Sequence, residues 1–305
     1  MQPEVVCLGE PMLEFNQVRG EAYYLPGHGG DTSNAAIAAA RQGAAVGMLT
    51  ALGADAFGQS FMDLWRDEGV DASRVIHNPD AHTAVYFVTH TDAGHAFSYL
   101  RAGSAASRIG SQDIPADYIA PARIMHVSGI SQAISDSACD AVFHAIEIAR
   151  ENGTQVSYDT NLRLKLWPLD RARAVIHAAM TKCDIALPGL EDAQALTGLD
   201  APDAIADFYL GLGAGIVALT LGAEGTLVAT AEERRLVPSI PVKPVDATAA
   251  GDTFDGAFLA ELSRGRDPFA AAAYANAAAA RPTQGYGAVA PMPRRAEVEA
   301  VLASG

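Results

Sequence analysis

Residues 246–258 read Asp-Ala-Thr-Ala-Ala-Gly-Asp-Thr-Phe-Asp-Gly-Ala-Phe, and this string could do chemistry. Small residues at Ala249, Ala250 and Gly251 let consecutive backbone N–H groups converge where a helix, Gly251 to Ser263 by its spacing, begins. A helix start carries about half a positive charge and unpaired donors, so it takes anions readily. Asp252 falls in the first turn beside those donors. A carboxylate there can accept the proton of an attacking hydroxyl while the amides hold charge developing on a transferring phosphoryl group. An Asp in that place is also an ordinary helix cap, and standing alone it would be read so.

Other segments offer partners. Gly29-Gly30-Asp31-Thr-Ser-Asn34 precedes a helical stretch to Gln42, with Gly43 beyond it as a terminator. The two glycines allow a ligand close to the backbone, and Asp31 reads as the helix N-cap. Tyr86 and Tyr99 belong to two alternating strands with Arg101 just after them, and Asp159-Thr-Asn161-Leu-Arg163 follows the strand Val156–Tyr158. An arginine fork suits a carboxylate because it donates two parallel hydrogen bonds. Thr220-Leu-Gly222-Ala-Glu-Gly225 follows another strand and, taken alone, is a hairpin turn.

Short apolar runs must position these groups. Val5–Leu8, Val46–Leu52, Ile124–Val127, Val156–Tyr158, Ile185–Leu187, Ile216–Leu221 and Thr226–Ala229 read as strands. Helical spacing lies between most of them, in Ala35–Gln42, Ser135–Asn152, Leu169–Lys182, Glu191–Thr197 and Pro202–Leu212. That alternation predicts crossover units, a mainly parallel sheet buried on both faces, and sites at the strand carboxyl ends. Pro11–Tyr24 and Ala84–Tyr99 break the rhythm with strand alternation, the second around a Thr91-Asp-Ala-Gly94 turn. They predict a small β lid, from segments of about 11–28 and 83–104, inserted in one domain of residues 1–305. Leu52–Gly58 reads as a strand end, a turn and a helix start, and Phe269–Ala280 as a packed helix.

Composition removes several classes. The 305 residues are 50% hydrophobic with a net charge of −15. An acidic chain without a basic stripe is a poor binder of nucleic acid or anionic membrane, though a few arginines can still hold one small anion. Three scattered cysteines without a CxxC fit a reducing compartment. No signal-like start and no run of roughly 18 apolar residues occurs, which together predict a cytoplasmic protein. A dehydrogenase fingerprint after the first strand and a Gly-Lys-Ser/Thr phosphate loop are missing, and the histidines lack metal-ligand spacing. Apolar lid strands predict pairing across a homodimer or a higher homo-oligomer.

The string at 246–252 resembles the Asp-Thr-x-Gly-Ala-Gly-Asp signature of the ribokinase-like (PfkB) carbohydrate kinases, and Gly29–Ala36 resembles their Gly-Gly and Asn signature. The resemblance extends over almost the whole chain. It implies an α/β ribokinase-like three-layer αβα sandwich with a β-sheet lid, ATP with Mg²⁺ as cofactors, and Asp252 as catalytic base with Ala249, Ala250 and Gly251. It leaves a monovalent cation open. Ala249 departs from the usual Gly, and Ala forms the same turn only with a negative φ. Tyr86, Tyr99-Leu-Arg101 and Asn161-Leu-Arg163-Leu-Lys-Leu-Trp167 resemble the 2-keto-3-deoxygluconate kinases of that family. This implies sugar contacts by Gly30, Asp31, Asn34, Tyr86, Tyr99, Arg101, Arg163 and Asp252. It implies nucleotide contacts by Asn161, Arg163, Thr220, Gly222, Gly225, Ala249, Gly251 and Asn276. The implied product is 2-keto-3-deoxy-6-phosphogluconate. The family's Asn-x-x-Glu magnesium motif is degraded to Gly189-Leu-Glu-Asp192, so no metal ligand is named. A kinase of a neutral sugar such as fructose or ribose, and a catalytically silent sugar-binding protein on the same fold, are the rival expectations.

Overall fold

The structure, a computed structural model, describes residues 2–18, 20–91, 94–243, 248–285 and 287–304. Its strands are β1 (Val5–Leu8), β2 (Met12–Gln17), β3 (Tyr24–Gly29), β4 (Val46–Leu49), β5 (Ala51–Gly53), β6 (Ile76–Asn78), β7 (Ala84–Thr91), β8 (Gly94–Leu100), β9 (Ile124–Ser128), β10 (Gln155–Asp159), β11 (Ile185–Leu187), β12 (Ile216–Thr220), β13 (Gly225–Ala229) and β14 (Arg234–Pro238). Its α-helices are α1 (Asp31–Arg41), α2 (Ala56–Glu68), α3 (Ala116–Ile119), α4 (Gly129–Ala133), α5 (Asp136–Glu151), α6 (Leu169–Met180), α7 (Leu190–Thr197), α8 (Pro202–Leu212), α9 (Ala250–Ser263), α10 (Pro268–Ala280) and α11 (Arg295–Ser304). None of the described helices is long and apolar enough to cross a membrane. The turn residues Asp92 and Ala93, and Val245 to Ala247 with the motif's Asp246, lie outside the described residues.

Eight strands form the central sheet in the order β14-β13-β12-β11-β10-β9-β1-β4. From β12 to β4 all pairs are parallel, and β13 and β14 add an antiparallel edge. Side chains alternate between two cores, as a period of two demands. Val6 and Leu8 pack with α5, α6 and α8, while Val5 and Cys7 pack with α1, α2, α9 and α10. The result is an αβα sandwich. Strand order reverses between β1 and β9, the kind of switch point where α/β sites form.

The lid is a separate sheet in the order β3-β2-β7-β8, with its own small core of Met12, Ala84, Tyr86 and Val88. The second strand of its first hairpin runs from Tyr24 to Gly29. Residues 46–52 are likewise two strands. β5 leaves the central sheet after Thr50 and pairs with β6, which sequence periodicity did not mark. Asp55 caps α2 by accepting from the Gly58 N–H at 2.7 Å.

Candidate active site

Register places the candidate groups in a row. Asp159 at the end of β10 pairs with Ser128 of β9 on one side and Leu187 of β11 on the other. Thr220, at the end of β12, bridges to Gly189. Above this edge lies a cleft of about 1700 Å³, with the lid as one wall and the start of α9 among its lining.

α9 sets the position of Asp252. Gly256 lets it press onto α1, since a Cβ there would stand 2.2 Å from the Ala35 carbonyl oxygen. That approach brings Asn34 Nδ2 to donate to Asp252 Oδ2 at 2.8 Å. Burial, then the charge of Asp31, pushes Asp252 up to about 7, against the Asn34 hydrogen bond and the Arg163 charge, which favour ionisation. A carboxyl poised near neutrality beside a helix N-terminus has the character of a general base. Ala249, Gly251 and Asp252 all line the cleft.

Ala249 corrects one expectation. Its φ is +59° and ψ 16°, so the alanine forms the turn in the left-handed region instead of avoiding it. An L-residue there costs about 1–2 kcal/mol, and glycine gives back part of the difference through unfolded-chain entropy. Ala249→Gly is therefore expected to raise stability by about 0.5–1 kcal/mol. Urea unfolding of the two proteins measures this, and a less stable variant would show the turn to be unstrained.

Asp31 is not the N-cap. Gly30 caps α1 at φ +101°, where a Cβ would meet the Glu10 carbonyl at 2.3 Å, and Asp31 is the first helical residue. Its Oδ2 accepts from Ser128 Oγ at 2.5 Å and from Asn161 Nδ2 at 2.9 Å. Asp31 Oδ1 and Asn34 Oδ1 are buried with no protein partner, and both residues line the cleft. Orphaned buried acceptors call for donors, and sugar hydroxyls supply them.

The lid wall carries Tyr86, Tyr99 and Arg101. Tyr86 donates to buried Glu14 at 2.5 Å, and the Tyr99 ring stacks on it with centroids 6.0 Å apart. Arg101 is less free than its sequence suggests. Its Nε and Nη2 donate to Glu10 Oε2 at 2.8 and 2.5 Å, and Ser104 holds the other Glu10 oxygen. Arg163 is exposed, and its Nη1 donates to the Leu162 carbonyl. It lines the same cleft, as does Lys165.

Of the residues expected to meet nucleotide, Asn161 and Thr220 line the cleft, whereas Gly222, Gly225 and Asn276 are not part of its lining. Asn276 is 5% exposed, accepts from Thr226 Oγ1 and donates to the Val237 and Pro238 carbonyls, so its amide ties α10 to the β13–β14 hairpin. Gly225 is packed against the Val237 carbonyl, a close approach between strands. Ala250 also stands back from the lining, offering only its place in the first turn of α9.

The model of the pfkB family carbohydrate kinases matches residues 2–295. The chain belongs to that family. The 2-dehydro-3-deoxygluconokinase of Thermoproteus tenax is 34% identical over 305 aligned residues, covering 96% of this chain and 93% of its own. Fructokinase-1 of Zea mays is 32% identical, covering 96% of each chain. A ribokinase II candidate from E. coli, solved in complex with ATP and Mg²⁺, superposes with a TM-score of 0.91 at 26% identity, covering 99% of this chain and all of the other. The protein is thus an ATP-dependent carbohydrate kinase.

Kinases of the pfkB family use ATP with Mg²⁺. No group of three or more potential ligand side chains converges among the described residues. Mg²⁺ usually keeps several waters and is held through one or two carboxylates together with substrate phosphates. Sequence reasoning missed Glu10 and Glu14, although Glu10, Met12, Glu14 and Asn16 share one strand parity. It missed Asp255, one helical turn beyond Asp252. The lining at Gly287 to Ala290 carried no signal, being set by tertiary packing alone.

Proposed function

We infer that this kinase transfers the γ-phosphoryl group of ATP to the primary hydroxyl of 2-keto-3-deoxygluconate, giving 2-keto-3-deoxy-6-phosphogluconate. The supporting observation is the arrangement of lid and base. Tyr86, Tyr99 and Arg101 line the same cleft as Asp252, with Arg163 beside it. In this reading Asp31, Asn34 and Gly30 meet sugar hydroxyls, and Arg101 and Arg163 offer forks to the carboxylate and phosphates. Asp252 takes the hydroxyl proton as the oxygen attacks phosphorus. The amides of 249–252 hold the charge on the phosphoryl oxygens. The lid covers the sugar and keeps water from the nucleotide.

One observation favours a neutral sugar as the second reading. Glu10 balances Arg101, so the lid wall is less cationic than two free arginines would make it. ADP release measured with 2-keto-3-deoxygluconate, gluconate, fructose and ribose separates the two. A kcat/KM at least about tenfold higher for the keto-acid supports the first reading. Preference for fructose or ribose overturns it. Tyr23, Leu25, Phe97 and Leu100 are exposed on the lid, in keeping with the expected homodimer.

A further inference from the structure

Four residues form one row across the lid sheet. Gly27 of β3 pairs with Glu14 of β2, Glu14 with Tyr86 of β7, and Tyr86 with Tyr99 of β8. Partners in register share one face of a sheet, and all four line the cleft. Within the row the Tyr86 hydroxyl donates to Glu14 Oε2 at 2.5 Å, and both side chains are buried. Gly27 leaves room for the acid, since a Cβ there would stand 3.4 Å from Glu14 Oε1. Gly29 does the same for the phenol, because its Cβ would stand 2.7 Å from Tyr86 Oη. The phenol oxygen is thereby seated next to the start of α1, where Asp31 Oδ1 and Asn34 Oδ1 are the orphaned acceptors.

The donor and acceptor inventory then fixes the chemistry of this corner. A phenol has one proton, and a carboxylate only accepts. With that proton on the bond to Glu14, Tyr86 has only lone pairs to offer a ligand. Burial, then the charge of Glu14, keeps the proton on the phenol. Tyr86 Oη, Asp31 Oδ1 and Asn34 Oδ1 are thus three acceptors. A carboxylate or keto oxygen finds no donor among these atoms, whereas hydroxyls satisfy them.

We propose that Glu14 is a specificity-positioning residue: by accepting the Tyr86 O–H it makes the phenol oxygen an acceptor for a sugar hydroxyl and directs any acidic end of the sugar away, toward the arginines. Glu14 acts through Tyr86. The inference rests on the cleft being the sugar site, and adds to that reading the group that sets its hydrogen-bond polarity.

A double-mutant cycle on Glu14 and Tyr86 tests this, with ADP release measured on whichever sugar the wild type phosphorylates best. Glu14→Ala is expected to raise the sugar KM about tenfold with kcat within about threefold, the mark of lost binding common to ground and transition states. Glu14→Gln keeps an oxygen that can accept the same O–H and should stay within about threefold of wild type. In a Tyr86→Phe background, Glu14→Ala should add less than about twofold, because the group it acts through is gone. Glu14→Met fills the volume without a carboxylate and takes the place of alanine if that variant does not fold. An unchanged KM in Glu14→Ala would overturn the proposal. So would glutamine as poor as alanine, or the same loss with and without the Tyr86 hydroxyl, which would make Glu14 a brace of the lid alone. The cycle reads equally on an acidic or a neutral sugar. Preference for fructose therefore overturns the keto-acid reading and leaves this proposal standing, while additive losses overturn this proposal and leave the keto-acid reading standing.

Discussion

Asp252→Asn is expected to lower kcat by about 10²- to 10⁴-fold while leaving the KM for MgATP and sugar within about threefold. The amide keeps the shape and the contact with Asn34 but cannot take a proton. The wild-type kcat/KM should rise with pH as Asp252 ionises, with a midpoint at about 7. The variant should lose that limb. Its stability should move the other way. An acid whose folded pKa is raised is stabilising below its unfolded value and becomes a burden as pH climbs to the folded one. At pH 7 the wild type carries that burden between Asp31 and Asp252, and the asparagine variant does not. A slower enzyme that melts higher is thus the expected pair of results, read by ADP release and calorimetry. Activity within tenfold of wild type would remove Asp252 from the role of base.

Arg101→Ala should have two large effects of different origin. Glu10 is buried to 0% side-chain exposure and loses its guanidinium partner, so stability should fall by about 3–5 kcal/mol. Catalysis should lose about 10- to 100-fold in kcat/KM for a sugar acid, the worth of a charge-assisted pair. Arg101→Lys separates the two. It keeps a cation for Glu10 but lacks the planar fork. Its stability should stay near wild type while the sugar acid still loses about tenfold and a neutral sugar loses little. Equal losses on acidic and neutral sugars would show that Arg101 only braces the lid through Glu10 and Ser104.

The local pattern was strong where one strand or helix decided the outcome. Ile185–Leu187 and Pro202–Leu212 fall where apolar runs and helical spacing put them. It failed where the partner lay far along the chain. Thr50 looks like the interior of a strand until β6 draws residues 51–53 away. Asn276 reads as a pocket amide until the hairpin at Val237 takes its donors.

The candidate base and its helix start could be named from residues 249–252 alone, because small residues and a first-turn acid are local features. The sign of φ at Ala249, the Glu10 clamp on Arg101 and the Asn34–Asp252 hydrogen bond could not. Each depends on which buried groups from distant segments are forced together, and in a medium of low dielectric such neighbours decide whether a charge is free, paired or protonated.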